Sequence, residues 1–271
     1  MIKAIAVDMD GTFLDSENNY NRERFGSLFQ AMKHKGIRFI VASGNQYAQL
    51  RSFFPENYQE ITFASENGAN LLRGDLPFWH AKISSAVVEE TLELLETRIL
   101  PEHYLVCGEK SAYISDNVSD EVFSFASYYY PQIKRLHNIR QALDEKDDLF
   151  KFALNFKEAE ATEKLSQLIE RLQGKLQPVS SGHGDIDLIL PGVNKFTGLS
   201  RLGEKLGFTK DEIMAFGDSG NDFEMIQQVK YGVAMGNAQP ELKAAAWRVI
   251  GPNNTEALLD MIELVVNGQI D

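Results

Sequence analysis

The chain has 271 residues, 44% of them hydrophobic and 24% charged, which suits a soluble globular protein of one large domain or two modest ones. A formal net charge of −12 argues against binding a nucleic-acid backbone, and no apolar run is long enough to cross a bilayer. The single cysteine, Cys107, excludes an intrachain disulfide and a cysteine metal cage; with no basic, apolar secretory leader in view, the cytoplasm is the expected compartment.

Residues 2–7 are a short apolar run rich in β-branched side chains, the pattern of a buried strand, and Asp8 and Asp10 follow it. Strand side chains alternate faces, so positions i and i+2 point the same way until Gly11-Thr12 turns the chain. Two carboxylates are thereby aimed together from the carboxyl end of a strand, where open α/β sheets bind ligands. At ~4 Å in a medium of ε ~20 they repel by about 4 kcal/mol, which a divalent metal would offset. An ordinary Asp-rich turn is the competing reading of this stretch alone. A second acidic cluster, far along the chain, decides against it.

Residues 22–35 carry Phe25, Leu28, Phe29 and Met32 at helical spacing and end at Gly36. Residues 37–42 read as a second buried strand running into Ser43-Gly44-Asn45. A helix follows over 46–54, stopped by Pro55, and 61–64 form a third strand. Alternation of strand and helix means right-handed crossovers and a parallel sheet.

The rhythm changes after residue 80. A helix over 84–96 leads into strands 104–107 and 112–115, and a helix over 161–173 leads into strands 176–180 and 185–190. Helix then hairpin, twice, suggests an internal duplication. Between the two lie a helix near 120–129 and a strand over 150–156. The middle third therefore reads as a separate α+β unit hinged near Lys82 and Pro191.

From Lys195 the first rhythm resumes, with a helix over 195–206 and a strand over 213–216. That strand runs into Gly217-Asp218-Ser219-Gly220-Asn221-Asp222, followed by a helix over 223–229 and a strand over 231–235. The expected fold is α/β: a Rossmann-like parallel-sheet core of residues 1–82 and 188–271, with an inserted α+β cap of residues 83–187.

Asp218 and Asp222 also sit where a strand meets a helix, so they can join Asp8 and Asp10 at one sheet edge. Four carboxylates with no histidine or cysteine at ligand spacing describe a hard-oxygen site, which selects Mg²⁺ over Zn²⁺. Mg²⁺ with few dedicated protein ligands implies phosphate as a co-ligand. Ser43 and Gly44, at a strand-to-helix turn, offer a hydroxyl and free N–H groups, a phosphate seat as well as an N-cap. Lys195, at the junction with the insert, is placed to neutralise another phosphate oxygen. Phosphate monoesters hydrolyse very slowly unaided, and a covalent route divides the barrier. Asp8, ionised at neutral pH, is the expected nucleophile. Asp10 is expected to protonate the leaving alkoxide and then to activate water.

Taken in order, Asp8-Met9-Asp10-Gly11-Thr12, Ser43, Lys195 and Gly217-Asp218-Ser219-Gly220-Asn221-Asp222 resemble the four motifs of the haloacid dehalogenase (HAD) superfamily. The insert between the second and third motifs resembles that of the Cof-type bacterial phosphatases with a C2 cap. Val41-Ala42-Ser43-Gly44-Asn45-Gln46, Ser65-Glu66-Asn67-Gly68-Ala69 and Ile186-Asp187-Leu188-Ile189 are similar to stretches of the sugar phosphatases in that group. The resemblance covers essentially the whole chain; Asn45 departs from it, because many relatives carry arginine there.

What the resemblance implies is Mg²⁺-dependent phosphotransfer through an aspartyl phosphate. The implied metal ligands are Asp8, Asp10 (through its backbone carbonyl) and Asp218, with Asp222 orienting them, and Ser43, Gly44, Lys195 and Asn221 would bind substrate. The expected partner is a small phosphorylated molecule, a sugar phosphate before others, with no nucleic acid and no membrane, acted on by a monomer or weak homodimer. A phosphomutase of the same superfamily and a phosphoreceiver-like regulatory module are the alternatives. The insert is expected to close over the site, with Ser181-Gly182-His183-Gly184, Asp185 and Asp187 meeting substrate hydroxyls, or else Glu66 and Asn67 on the core.

Overall fold

The computed structural model describes residues 1–182 and 184–270. β1 (Ala4–Val7) alternates alanine with β-branched residues and is buried throughout. After it come α1 (Arg22–His34), β2 (Arg38–Ala42), α2 (Tyr47–Ser52) and β3 (Thr62–Ser65). β4 (Asn70–Arg73) and β5 (Leu76–His80) turn back antiparallel, a hairpin that hydrophobic periodicity does not announce. The middle third holds α3 (Ser85–Leu94), β6 (His103–Gly108), β7 (Ala112–Ser115), α4 (Asp120–Tyr129), β8 (Ile133–Leu136), β9 (Leu149–Asn155), α5 (Glu158–Leu172), β10 (Gln177–Gly182) and β11 (Asp185–Ile189). α6 (Lys195–Leu206), β12 (Ile213–Gly217), α7 (Phe223–Gln228), β13 (Tyr231–Ala234), α8 (Pro240–Ala245), β14 (Arg248–Val249) and α9 (Ala257–Val266) follow. The last three lie beyond the reach of the sequence expectation.

Among the described residues one sheet has eight strands in the order β14-β13-β12-β1-β2-β3-β4-β5, parallel from β14 to β3. Period-two alternation sends Ile5 and Val7 to one face, with Phe39, Val41 and Phe216 under α1 and α9. Ala4, Ala6 and Ala215 face the other way, against Leu199 and Leu202 of α6 and Met225 of α7. The chain leaves β1 towards β2 and β3, then returns on the opposite side of β1 as β12. The carboxyl ends of β1 and β12 are therefore the topological switch point, where such sheets open a crevice.

The second sheet has six strands in the order β10-β11-β9-β6-β7-β8. Both expected hairpins are present, β6 with β7 and β10 with β11. α3 and α5 cover one face through Val88, Leu92, Leu168 and Leu172. α4 lies on the other, with Ala126 and Tyr130 against Leu105, Cys107 and Ile114. β11 stays hydrogen-bonded to β9 and β10 as far as Ile189, so the return to the core falls after it and not at residue 188. At the first crossing His80 Nε2 and Lys82 Nζ both meet Asp148, at 2.9 and 2.5 Å, just before β9.

The insert sits on the rim of the core. The Gln46 side-chain amide donates to Gln132 O (3.1 Å), and its oxygen accepts from Gln132 N (2.9 Å). Among the described residues no helix is long and apolar enough to cross a membrane.

Candidate active site

Where β1 ends, Asp8 N still donates to Phe216 O of β12 (3.1 Å), and the chain then closes a tight turn with Phe13 N on Asp8 O (3.2 Å) and Leu14 N on Met9 O (2.9 Å). Gly11 has φ +71°, and a Cβ there would stand 2.5 Å from Asp218 Oδ2; only glycine lets this turn lie against the second acidic loop. Thr12 Oγ1 fastens the two loops by donating to Asp218 Oδ1 (3.0 Å). Phe13 anchors the turn, its ring 4.8 Å from that of Tyr20 and 5.3 Å from that of Phe25.

α6 starts at Lys195, capped by Asn194, whose side chain accepts from Thr197 N (2.9 Å). This start places Lys195, 1% exposed, between Asp8 Oδ1 (2.6 Å) and Asp222 Oδ1 (2.7 Å). Asp222 uses its other oxygen to accept from Asp218 N (3.0 Å) and Ser219 N (3.1 Å), which shapes the loop. Carboxylate oxygens of Asp8, Asp218 and Asp222 all lie within 4.8 Å of one another.

One ammonium against three carboxylates leaves this cluster short of positive charge. Burial pushes Asp8 well above the usual carboxylate range; Lys195 opposes, and Asp222 and Asp218 add to the rise. Burial, then the Asp222 carboxylate, pushes Asp218 up to about 7. Burial would discharge Lys195, but Asp222 and Asp8 outweigh it and hold the ammonium above its ordinary value. The donor chemistry fits a hard divalent cation. Among the described residues Asp8 Oδ2 and Asp218 Oδ2 accept no hydrogen bond, whereas both Asp222 oxygens are engaged.

The Asp10 side chain lies outside that cluster. Asn45 Nδ2 donates to Asp10 Oδ2 (2.5 Å), which turns the carboxyl towards the Ser43–Asn45 loop. Burial raises Asp10 above its ordinary value, opposed by Asn45 and Lys195. Ser43 is buried at the end of β2, and its Oγ accepts from Asn45 N (3.2 Å), closing its own turn. At Gly44 a Cβ would stand 3.3 Å from both Asn67 Oδ1 and Asp187 Oδ2. Asp8, Asp10, Ser43, Gly44, Asn45 and Asn221 line one cavity of about 180 Å³ beneath the insert. Lys195 and Asp218 are not among the residues that line it.

A further set of contacts joins insert to core. Glu66 and Asn67 hold successive left-handed backbone conformations, φ 52° and 56°, at about 1–2 kcal/mol each for side chains with a Cβ. Glu66 N on Asn45 O (3.2 Å) and Asn67 N on Ser43 O (2.9 Å) hold them there. Both side chains are thereby aimed at the insert. Lys151 of β9, 1% exposed, brings Nζ to Gly44 O (2.5 Å), Glu66 Oε2 (3.0 Å) and Asp187 Oδ2 (3.5 Å). The Glu66 carboxylate is fully buried, and the Lys151 ammonium is its charge partner. Burial pushes Glu66 up to about 7, with Lys151 pulling it down and Asp187 pushing it further up. Asn67 Nδ2 donates to Asp187 Oδ2 (2.6 Å), and Asn67 Oδ1 accepts from Asn221 Nδ2 (3.0 Å). A polar chain thus runs from the insert to the edge of the acidic cluster.

Of the expected substrate contacts, Ser181, Asp185 and Asp187 line the cavity, and Asp187 also accepts from Asn67 and pairs with Lys151. Glu66 pairs with Lys151 across the interface, and neither Glu66 nor Asn67 is among the residues that line the cavity. His183 lies outside the described residues. Lys151 had a signal in the sequence: a charged residue inside the apolar strand Leu149-Phe150-Lys151-Phe152 is costly unless paired. Asn45 and the strained pair Glu66-Asn67 had none beyond their motifs.

A family model described as haloacid dehalogenase-like hydrolase matches residues 5–262. The chain belongs to that family. This HAD protein is 42% identical over 267 residues to the 5-amino-6-(5-phospho-D-ribitylamino)uracil phosphatase YbjI of Escherichia coli (strain K12), a match spanning 98% of this chain and 96% of the relative. It is 24% identical to the pyridoxal phosphate phosphatase YbhA of the same strain, over 96% of this chain and 97% of the relative. The crystal structure of SMU.1108c from Streptococcus mutans UA159 superposes with a TM-score of 0.92 at 32% identity, covering 98% of this chain and 100% of that one. The protein is a phosphoric monoester hydrolase of the HAD superfamily, Cof-type, acting on small phosphorylated molecules.

Proposed function

We propose that this HAD phosphatase is Mg²⁺-dependent and hydrolyses sugar and polyol phosphates through an aspartyl phosphate on Asp8. The observation that carries the reading is the position of Lys195. Bonded at once to Asp8 and Asp222, it occupies Asp8 Oδ1 and leaves Oδ2 unbonded on a residue that lines the cavity. Asp8 Oδ2 bonds to phosphorus as the ester P–O bond breaks, and the leaving oxygen takes a proton from Asp10. Asp10, now ionised, removes a proton from water, whose oxygen attacks the same phosphorus. Inorganic phosphate leaves and Asp8 returns as a carboxylate.

Asn45 holds Asp10 Oδ2 and so leaves Oδ1 to carry the proton. Ser43, Gly44 and Asn221 supply donors to the phosphoryl oxygens, and Lys195 lends its charge from behind Asp8. Asp8, Asp218 and the Asp10 carbonyl would hold Mg²⁺, with Asp222 orienting Asp218 through its backbone N–H. Held there, Mg²⁺ would supply positive charge to offset that of the phosphoryl group. The polyol preference is supported by the name of YbjI, a phosphoribityl compound, and by Ser181, Asn155 and Asp185 on the insert side of the cavity.

The test is phosphate release from p-nitrophenyl phosphate, ribitol 5-phosphate and a hexose phosphate, with Mg²⁺ and with excess chelator. Release that requires Mg²⁺ is expected. Full turnover in chelator, or isomerisation of the hexose phosphate without release, would contradict the reading.

A further inference from the structure

The cavity has a second end that the phosphoryl chemistry does not use. Strand alternation turns His103, Leu105 and Cys107 of β6, Lys151, Ala153 and Asn155 of β9, and Asp185 and Asp187 of β11 to one face of the insert sheet. Cross-strand register sorts them into rows: Cys107 beside Lys151, then Leu105, Ala153 and Asp187, then His103, Asn155 and Asp185. Lys151 and Asp187 are occupied with the core. The outermost row is polar and lines the cavity, where Asn155 Nδ2 donates to Asp185 Oδ1 (2.7 Å). Burial holds His103 below its ordinary value, so its neutral ring can both donate and accept.

α4 forms the side wall. Ala126 and Tyr130, four residues apart, pack into the sheet. Phe125 and Tyr129 form the adjoining stripe and line the cavity. Phe125 is 59% exposed and Tyr128 43%. The Phe125 and Tyr129 rings stand 5.4 Å apart at 61°, and those of Tyr128 and Tyr129 5.0 Å apart at 90°. Burial, then the Asp10 charge, then Tyr128 and Asp185 raise the Tyr129 phenol, so this ring senses both ends of the cavity. Packing α4 does not need an exposed phenylalanine at this mouth, and its ring is open to contact from the cavity.

We propose that Phe125, Tyr129, His103 and Asn155 form a seat for a planar unsaturated ring, so that the substrate is a polyol phosphate ending in a heterocycle remote from the phosphate. The proposal rests on the phosphatase reading above and names the substrate's other end. The ring stacks or packs edge-on against Phe125 and Tyr129, while its N–H and carbonyl groups pair with Asn155 and His103. One offset or edge contact of this kind is worth up to about tenfold in affinity.

The experiment compares kcat/KM for 5-amino-6-(5-phosphoribitylamino)uracil with that for ribitol 5-phosphate, the same chain without its ring. Wild type is expected to favour the ring-bearing ester by about tenfold or more. Phe125→Ala and Tyr129→Ala should each collapse that ratio through KM, and Tyr129→Phe, which keeps a ring, should preserve it. Phe125 is exposed, so its loss leaves packing intact. Equal use of the two esters by wild type, or variants that lower both alike, would overturn the ring seat and leave the phosphatase reading standing. Inactivity towards both, and towards aryl phosphate, would remove that reading and this proposal with it.

Discussion

The core rim and the insert face meet at one cavity but are built on different logic. On the rim, Asp8, Asp218 and Asp222 leave from the ends of adjacent parallel strands, whose register sets Val7 opposite Phe216. Their positions follow from the backbone and from one shared lysine, whatever ester is bound. On the insert, the described residues that reach the cavity come from four antiparallel strands and one helix, aligned only by cross-strand register. A change on the rim should therefore act on the chemistry of every ester. A change on the insert should act on closure or on the choice of ester.

Lys195→Met should show the largest effect, because it leaves Asp8 and Asp222 buried together with no cation between them. Breaking a buried ion pair from one side costs about 3–5 kcal/mol, so thermal melting should fall sharply along with kcat on aryl and alkyl esters alike. A loss confined to one ester class would break the division between rim and insert.

Lys151→Met strikes the other side of that division. Glu66 can take up a proton near neutral pH, so the stability loss should be smaller, about 1–3 kcal/mol. Because Lys151 reaches Gly44 O from the insert, kcat/KM for sugar phosphates should fall by about tenfold to a hundredfold, aryl phosphates should lose less, and Lys151→Arg should recover part of the difference. Equal losses on both would place Lys151 with the rim.

The same interface predicts a pH signature. Glu66 binds its proton more tightly folded than unfolded, because burial raises it to about 7 from an ordinary value of 4.5. Between those values the folded state holds more protons, so the Glu66 contribution to stability is full below about 4.5 and is lost as pH climbs to about 7. Glu66 faces Lys151 and Asp187, and Glu66→Gln removes this loss. The melting temperature of the variant should gain on wild type from pH 5 to 7 and run parallel above; a constant offset across the range would contradict the assignment.

Asn45→Ala should have the smallest effect. Freed from Asn45, Asp10 should lose about tenfold in kcat on sugar phosphates, whose leaving oxygen needs a proton, and little on p-nitrophenyl phosphate. Identical losses on both would detach Asn45 from proton transfer.

The rim was readable because its signals are local. A buried strand ending in Asp8, an i+2 partner and Gly11 fall within four residues, and the Gly217–Asp222 loop repeats the arrangement at a second strand end. The insert announced its hairpins and helices through periodicity, but not its inner face. His103, Asn155 and Asp185 become neighbours only through register, which no short stretch records. Lys151 stood out as a charge in an apolar strand, yet its partners Glu66 and Gly44 lie in the core, far away in sequence. The β4–β5 hairpin escaped because Asn70 and Pro77 interrupt its alternation, and Leu76 is exposed at the sheet edge.

A covalent intermediate on Asp8 is tested by peptide mass after acid quenching during steady turnover. The peptide bearing Asp8 should carry one phosphoryl group that hydroxylamine removes, and Asp8→Asn should show neither the group nor turnover, with kcat down by about 10⁴-fold or more. Turnover without a phosphorylated peptide, or a phosphoryl group on any other residue, would contradict the account.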